Sequence, residues 1–460
     1  NHLIDRVRNR YDRLIGATIS AVDGGTPGFS QAVPVYPNQT GTDKRAGDGI
    51  PLPVQPGAPV LQLPLTRSTS VRLFNPNIRA GYVHQYNLTI QKELFRNTVI
   101  EVGYVGTRGV KLFMNRDLNQ TRVYGDFLTA FKELQAFQAS NASLPSAGNT
   151  LVRIFGTPAA AISGLGASTV QQGQVGTAAN NLDITNNSRY AAAGVSQFYL
   201  RNFPQYNQAT QGNNDGQSYY NSLQFSVRRQ VGAVKVNANY TFSKSLDNSS
   251  VDGNGYTAPI DSYNLRLNKG RSDGDRPHSF NLSLIYILPV GRDKRFGGGM
   301  ARWADSLIGG WEMGLLGIWQ SGAPFTVGSA RSTTVAGVTT RANYTGDRNI
   351  GNVERKGNGV WYWTSDETAR FGFPGAGEIG SSGRNAFRGP RFFGADLSLV
   401  KRFRLFETHT VTLRAEGYNL LNNPNFGAPG TNLLQPATFG KISANVGAAR
   451  VVQLALRYDF

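Results

Sequence analysis

The ten residues VVQLALRYDF, Val451 to Phe460, decide how the rest of the chain is read. Val452, Leu454, Leu456, Tyr458 and Phe460 take every second position, with Val451, Gln453, Ala455, Arg457 and Asp459 between them. Successive side chains of a strand point to opposite faces, so this segment presents one large apolar face. Lipid tolerates a strand only in a closed barrel, where every backbone group finds a partner. The segment therefore points to a bacterial outer membrane, with an amphipathic strand of a soluble sandwich as the competing reading. Leu456, Tyr458 and Phe460 are the candidate barrel-assembly signal.

Counting this one, ten segments carry the alternation, nine of them firm and the tenth a weak extension. Their apolar sets include Tyr82, Tyr86, Leu88 and Ile90; Ile100, Val102 and Tyr104; Tyr219, Leu223, Phe225 and Val227; Val234, Val236, Ala238, Tyr240 and Phe242; and Phe280, Leu282, Leu284, Tyr286 and Leu288. Trp311, Met313, Leu315 and Trp319 follow, then Ala395, Leu397 and Leu399, then Val411, Leu413 and Ala415. Phe325 and Val327 read as an extension of the Trp311 strand. Gln224, Ser226, Arg228, Lys235, Asn237, Asn239, Thr241, Arg414 and Glu416 fall between the apolar positions, which fits apolar-out, polar-in. The fold class is all-β: a transmembrane antiparallel up-and-down barrel.

The connections give the sidedness. Links at 94–98, 229–233 and 404–408 are tight, whereas 107–217, 246–275, 328–391 and 422–449 are long. Short periplasmic turns alternating with large outer loops are a property of membrane barrels. The link 289–310 is longer than its neighbours on the short side. Residues 1–80, irregular and rich in Pro and Gly, read as an outer loop, and 81–460 as barrel strands with their loops. Tyr82, Tyr104, Tyr240, Phe242, Trp311 and Trp319 lie toward strand ends and are the candidate aromatic girdle, where amphipathic rings favour the head-group level.

Composition agrees with a turn-rich, aromatic-rich β protein: 460 residues carry 54 Gly, 25 Phe and 19 Tyr but three Met and no Cys. The missing cysteine excludes disulfides and thiolate chemistry. No apolar run is long enough for a membrane helix, and a mean hydropathy below zero suits half-polar strands. The net charge of +18 is spread along the chain without a nucleic-acid-binding motif, so no nucleic-acid partner is expected. A basic barrel can attract phosphorylated lipid head groups or anionic solutes instead.

Eight stretches carry a resemblance: NPNIRAGYVHQYNLTIQKELFRNTVIEVGYVGTRG from Asn75, YNSLQFSVRRQ from Tyr220, VNANYTFSKSLDNSS from Val236, DRPHSFNLSLIYILPVGRDKRF from Asp275, GGWEMGLLGIWQSGAPFTV from Gly309, GRNAFRGPRFFGADLSLVKRFRL from Gly383, RAEGYNLLNNPNFGAP from Arg414 and the terminal VQLALRYDF. In order and spacing they resemble the C-terminal barrel portion of Oar-like TonB-dependent receptors. The resemblance implies a plugged barrel of about 22 strands, of which this chain holds the C-terminal ten or so. It implies uptake of an unidentified solute, with the TonB system engaging an N-terminal region absent from this sequence. The other partners expected are the barrel-assembly machinery, outer-membrane lipid and lipopolysaccharide. The chain is accordingly expected to be part of a longer receptor. A plug-free porin or surface adhesin is the alternative.

Catalytic signals are weak. His2, His84, His278 and His409 are dispersed and lack zinc-site spacing. The serine-bearing loop 164–170 lacks a nucleophile elbow. Asp247, Asn248, Asp252 and Asn254 offer oxygen ligands for Ca²⁺, but turn chemistry explains them equally. Asp273 and Asp275 read as structural. No catalytic residue, cofactor or enzymatic activity is expected.

Overall fold

The computed structural model describes residues 67, 69–95, 97–140, 144–250, 259–405 and 408–460. Its strands, in chain order, are β1 (Val71–Phe74), β2 (Tyr82–Phe95), β3 (Thr98–Asp117), β4 (Ala209–Val231), β5 (Val234–Asp247), β6 (Gly270–Arg271), β7 (His278–Ile287), β8 (Trp311–Gln320), β9 (Pro324–Phe325), β10 (Asn343–Tyr344), β11 (Glu354–Lys356), β12 (Gly359–Trp361), β13 (Phe371–Gly372), β14 (Phe387–Arg388), β15 (Phe392–Arg404), β16 (Thr410–Tyr418), β17 (Lys441–Ile442) and β18 (Val451–Asp459). Nine of them form one wall in the order β18-β16-β15-β8-β7-β5-β4-β3-β2. The registered neighbours along it are antiparallel, and each follows its predecessor along the chain apart from the short strands in the long connections. The wall is open: β18 and β2 are its two edges.

Register carries the alternation across the wall. Val236 stands opposite Leu284, Leu284 opposite Leu315, and Leu315 opposite Leu397, making one apolar row over four strands. Phe225, Tyr240, Phe280, Trp319 and Phe393 make a second, wholly aromatic row over five. Because side chains alternate with period two, a slip of one residue would move an entire set to the other face. The opposite face carries Arg228, Asn237 and Ser283 in one row and Ser226, Asn239 and Asn281 in the next. Ion pairs within the wall, Arg228–Glu101, Arg402–Glu312, Arg414–Glu416 and Arg457–Asp459, lie on this polar face. It also holds exposed Ile285, Ile287, Leu316 and Ile318, a departure from the polar residues expected there.

The described residues fall into two compact units. The larger comprises residues 79–114, 214–333 and 339–460. Besides the wall it contains a water-excluding cluster built from the connections: Phe325, Val327, Ala342, Tyr344, Tyr362, Trp363, Phe387, Phe439 and Ile442. Pro324 and Phe325 pair with Arg388 and Phe387, so β9 belongs to a separate two-stranded sheet and does not extend β8. Gly322 permits this approach, since a Cβ there would lie 1.8 Å from the Gly389 carbonyl oxygen.

The smaller unit contains residues 115–213 and 334–338 together with the described residues up to 78. Flanking strands reach into the expected 107–217 loop as far as Asp117 and back to Ala209, and a series of helices lies between Asp126 and Ala192. Helix α1 (Asp126–Ser140) buries Phe127, Ala130, Phe131 and Leu134, the 3.6-residue stripe of an amphipathic helix. It packs against short helices at Thr150–Phe155 and Ala167–Gln171, and their neighbour Pro158–Leu165 completes the group. Asn149 caps the first of these by accepting the Val152 N–H, and Thr157 caps the last by accepting the Ala160 N–H. At the centre Asp183, fully buried, accepts from Arg201 at 2.6 Å and also pairs with Arg67. Burial pushes the neighbouring Tyr190 phenol well above its ordinary range, as it does that of Tyr199.

Candidate functional site

The polar face of the wall is the surface best suited to contact a solute. Between β3, β4 and β5 it forms a hollow of about 250 Å³ lined by Glu101, Gln224, Ser226, Arg228, Asn237, Asn239 and Thr241, with the edges of Phe225 and Tyr240. Arg228 donates to Glu101 at 3.2 Å, Gln224 to the Ser222 hydroxyl at 3.2 Å, and Asn239 to Asn237 at 3.2 Å. Such neutral amides and hydroxyls, with one exposed ion pair, offer exchangeable hydrogen bonds to a hydrated ligand. Nothing in the hollow pairs a nucleophile with a base. No group of three or more His, Asp or Glu side chains is placed to hold a metal among the described residues.

A second hollow, of about 360 Å³, lies among the connections and is lined by Arg355, Asn419, Asn422, Asn423, Pro424, Asn445, Gly447, Ala448 and Ala449. Its asparagines are largely committed to the backbone. Asn419 and Asn422 take left-handed φ of 46° and 50°, which Asn tolerates better than most residues. Asn425 accepts the Phe393 N–H at 2.8 Å and donates to the Phe393 carbonyl at 2.9 Å, standing in for a neighbouring strand.

Between the two hollows in sequence, the GRNAFRGP stretch acts as a clamp. Arg384 donates to Asp247 at 2.5 Å and to Ser250 at 2.6 Å, while Arg388 pairs with the buried Asp275. Asp275 also accepts the Ser245 N–H at 2.6 Å, and Asn385 donates to Asp273 at 2.7 Å. Arg384 thus occupies a carboxylate oxygen of Asp247 that a Ca²⁺ ion would need, and Asn248 spends its side chain on the Gln217 N–H and the Asp215 carbonyl. Asp252 and Asn254 lie outside the described residues. Desolvation first, and then the Arg388 charge, lowers the affinity of Arg271 and Arg276 for their protons.

The structure places the six girdle candidates, with Leu456 and Tyr458, on the apolar face of the wall. Tyr82 stands opposite Val110, Tyr104 opposite Leu88, and Tyr240 opposite Phe225 and Phe280. Phe242 stands opposite Leu223 and His278, and Trp319 opposite Phe280 and Phe393. Trp311 lies at the other end of its strand, opposite Lys401. Leu456 and Tyr458 lie on the exposed edge strand opposite Leu413 and Val411, and the Phe460 ring stacks on Tyr458 at 5.9 Å. Two of the dispersed histidines join these belts. Tyr240 bonds His278 at 2.7 Å and Tyr458 bonds His409 at 2.6 Å. Their period-two placement beside aromatics was the available signal.

A wall of alternating strands with a predominantly apolar face has a counterpart among known proteins. The family model described as "Outer membrane beta barrel domain" matches residues 10–453. The chain belongs to this family. It is a protein of the cell outer membrane, and its strands supply the membrane-spanning wall. No curated protein matches it. Among solved structures it is similar to the outer membrane transporter YddB from Escherichia coli, at 10% identity and a TM-score of 0.36, over 86% of this chain and 34% of that one. FpvA of P. aeruginosa bound to heterologous pyoverdines aligns at 9% identity and a TM-score of 0.31, over 82% of this chain and 27% of that one. The FrpB iron transporter from Neisseria meningitidis aligns at 9% and 0.32, over 85% and 33%. The chain therefore spans about a third or less of the length of these structures.

Proposed function

We propose that this family member supplies part of the barrel of a TonB-dependent outer-membrane receptor, Oar-like in its sequence motifs, that takes up a solute. The observation that carries the reading is the segregated wall: an apolar face in continuous rows and an opposite face of amides, hydroxyls and ion pairs. Its open edges, β2 and β18, require strands outside the described residues to close the barrel. Closure around the polar face makes that face the lining of the solute path, and the hollow at Arg228 and Asn239 a contact along it. No covalent step is needed, because selectivity comes from loop contacts and lining side chains. Tight links then face the periplasm, and the long connections face outward.

Uptake by cells carrying the whole receptor tests this reading. Uptake that stops when TonB is deleted, with no passive solute flux through the same protein in liposomes, is the expected result. Passive flux that is indifferent to TonB would establish the porin reading in its place.

A further inference from the structure

The apolar face of the wall carries formal charge of one sign only. Along its registered stretches the charged residues are Lys92, Arg108, Arg229, Lys244 and Lys401, whereas Glu93, Glu101, Glu312, Asp396, Glu416 and Asp459 all fall on the polar face. The cations also avoid the middle. Leu88, Ile90, Phe225, Leu284 and Leu315 occupy mid-strand positions, and the cations lie beyond them toward one end or the other.

At the end that leads into the long connections, the cations form a patch. Arg108 lies 5.4 Å over the Tyr219 ring and Lys269 lies 5.6 Å from the same ring. Lys111 lies 5.8 Å from the Tyr82 ring, and Lys244 stands opposite Asn221, whose side chain accepts from the Tyr104 hydroxyl at 2.7 Å. All four cations are exposed, and none makes an ion pair among the described residues. Below the patch come the Leu88–Tyr104 and Leu223–Phe242 pairs, and below those Ile90–Val102 and, past Phe225–Tyr240, Val227–Ala238, so the face runs from aliphatic through an aromatic-bearing level to cationic.

We infer that this patch binds the phosphate groups of an outer-leaflet glycolipid, whose acyl chains lie along the apolar rows below. The inference rests on the outward placement of the long connections proposed above. An amphiphile with an anionic head matches the sequence of surfaces: tails against Ile90, Val102, Val227 and Ala238, sugar rings at the level of Tyr104 and Phe242, phosphates at Arg108, Lys111 and Lys269. A soluble anion would use the cations but leave the aliphatic and aromatic rows without a role. Rings held beside the cations restrict their motion and keep them at the interface.

The test is equilibrium binding of a bisphosphorylated glycolipid to the whole receptor folded in phosphatidylcholine vesicles. The triple substitution Arg108→Gln, Lys111→Gln, Lys269→Gln is expected to weaken binding about a hundredfold, from the attraction typical of basic residues near an anionic surface. The exchange Arg108→Lys, Lys111→Arg, Lys269→Arg is expected to retain it. If the triple variant fails to show the heat-modifiable folded band, Lys269→Gln alone, in a connection, decides by a several-fold loss. Unchanged binding by the neutralised protein, equal binding of the dephosphorylated lipid, or displacement by millimolar inorganic phosphate would each overturn the inference. Lys294→Gln with Arg295→Gln, on the short-link side, is expected to have no effect. Loss of binding there and not in the triple variant would show that the sidedness itself is reversed.

Discussion

The wall and the loop cluster use the same apolar residues in opposite ways. In the wall, Leu88 and Ile90 are each 67% exposed and Leu454 and Leu456 each 74%, although they stand in registered rows. In the cluster, Val327, Ala342 and Phe387 are fully buried and Trp363 nearly so. Trp363 lies 4.9 Å from Phe371 and 5.0 Å from Phe439, and Tyr344 meets Phe387 at 5.0 Å with the rings nearly perpendicular. Such aromatic packing supplies its own apolar surroundings. The wall instead leaves its side chains to the solvent, and only a hydrocarbon solvent makes that favourable. One region carries its core with it; the other borrows its core from the membrane.

That contrast breaks most sharply in the cluster. Phe387→Ala or Trp363→Ala should cost about 3–5 kcal/mol, the range for deleting a buried aromatic. The loss should appear in hydrogen exchange of the connections while β7 and β8 keep their protection. Equal loss of protection in both regions would show that the cluster is not an independent core.

Charge in the wall is the next largest effect. Leu284→Arg or Phe225→Arg should cost about 2–4 kcal/mol near the bilayer centre, while Ser283→Arg or Ser226→Arg on the polar face costs far less. Folding titrations in lipid vesicles read the difference, and equal penalties would remove the lipid-facing assignment. Deleting Phe460 from the whole receptor should lower its outer-membrane yield several-fold while unassembled chain collects in the periplasm. A terminal residue that only packed at the end of a strand would be nearly free to remove. Heat-modifiability and membrane fractionation separate these outcomes.

The smallest effect belongs to the helical unit. Glu133 has its carboxyl held below the ordinary 4.5, first by the Asn149 amide, which donates to it at 2.8 Å, and also by Ser146. A depressed carboxylate adds stability that is present above its unfolded pKa and is lost as pH falls through the folded value. Acid titration of the unit should therefore show a small loss below the ordinary glutamate range. Asn149→Ala should shrink this step, leaving the Ser146 bonds, while also removing a helix cap worth about 1 kcal/mol. The same acid step in the variant would assign it to another carboxylate.

The wall was legible because its information is local. Val236 and Ala238, or Leu282 and Leu284, declare a strand two residues at a time, and register then follows from the shared apolar face. The candidate girdle and terminal residues were found by the same rule, as positions on that face. The loop cluster was not legible, because Phe325, Trp363, Phe387 and Phe439 come from separate segments with no common period. The clamp was hidden for a similar reason, since Arg384 and Asp247 are 137 residues apart. The helical unit is different. Phe127, Ala130, Phe131 and Leu134 spell the i, i+3, i+4, i+7 stripe of α1, a signal that was present and was overlooked amid short helices broken by Gly156, Gly166 and Gly173.

Neighbour-by-neighbour order in the wall also has a kinetic meaning. Each strand pairs with the one made just before or after it, so the sheet can grow like a zip, closing one short loop of search space at a time. The long connections slow this only where a strand must wait for the chain beyond it, as β4 waits for the 118–208 segment and β15 for 321–391. Of the nine wall strands β18 comes last along the sequence, and it is an edge. The last of these nine strands therefore has one side templated by β16 and the other unbonded among the described residues, a free edge at which assembly can be started or held.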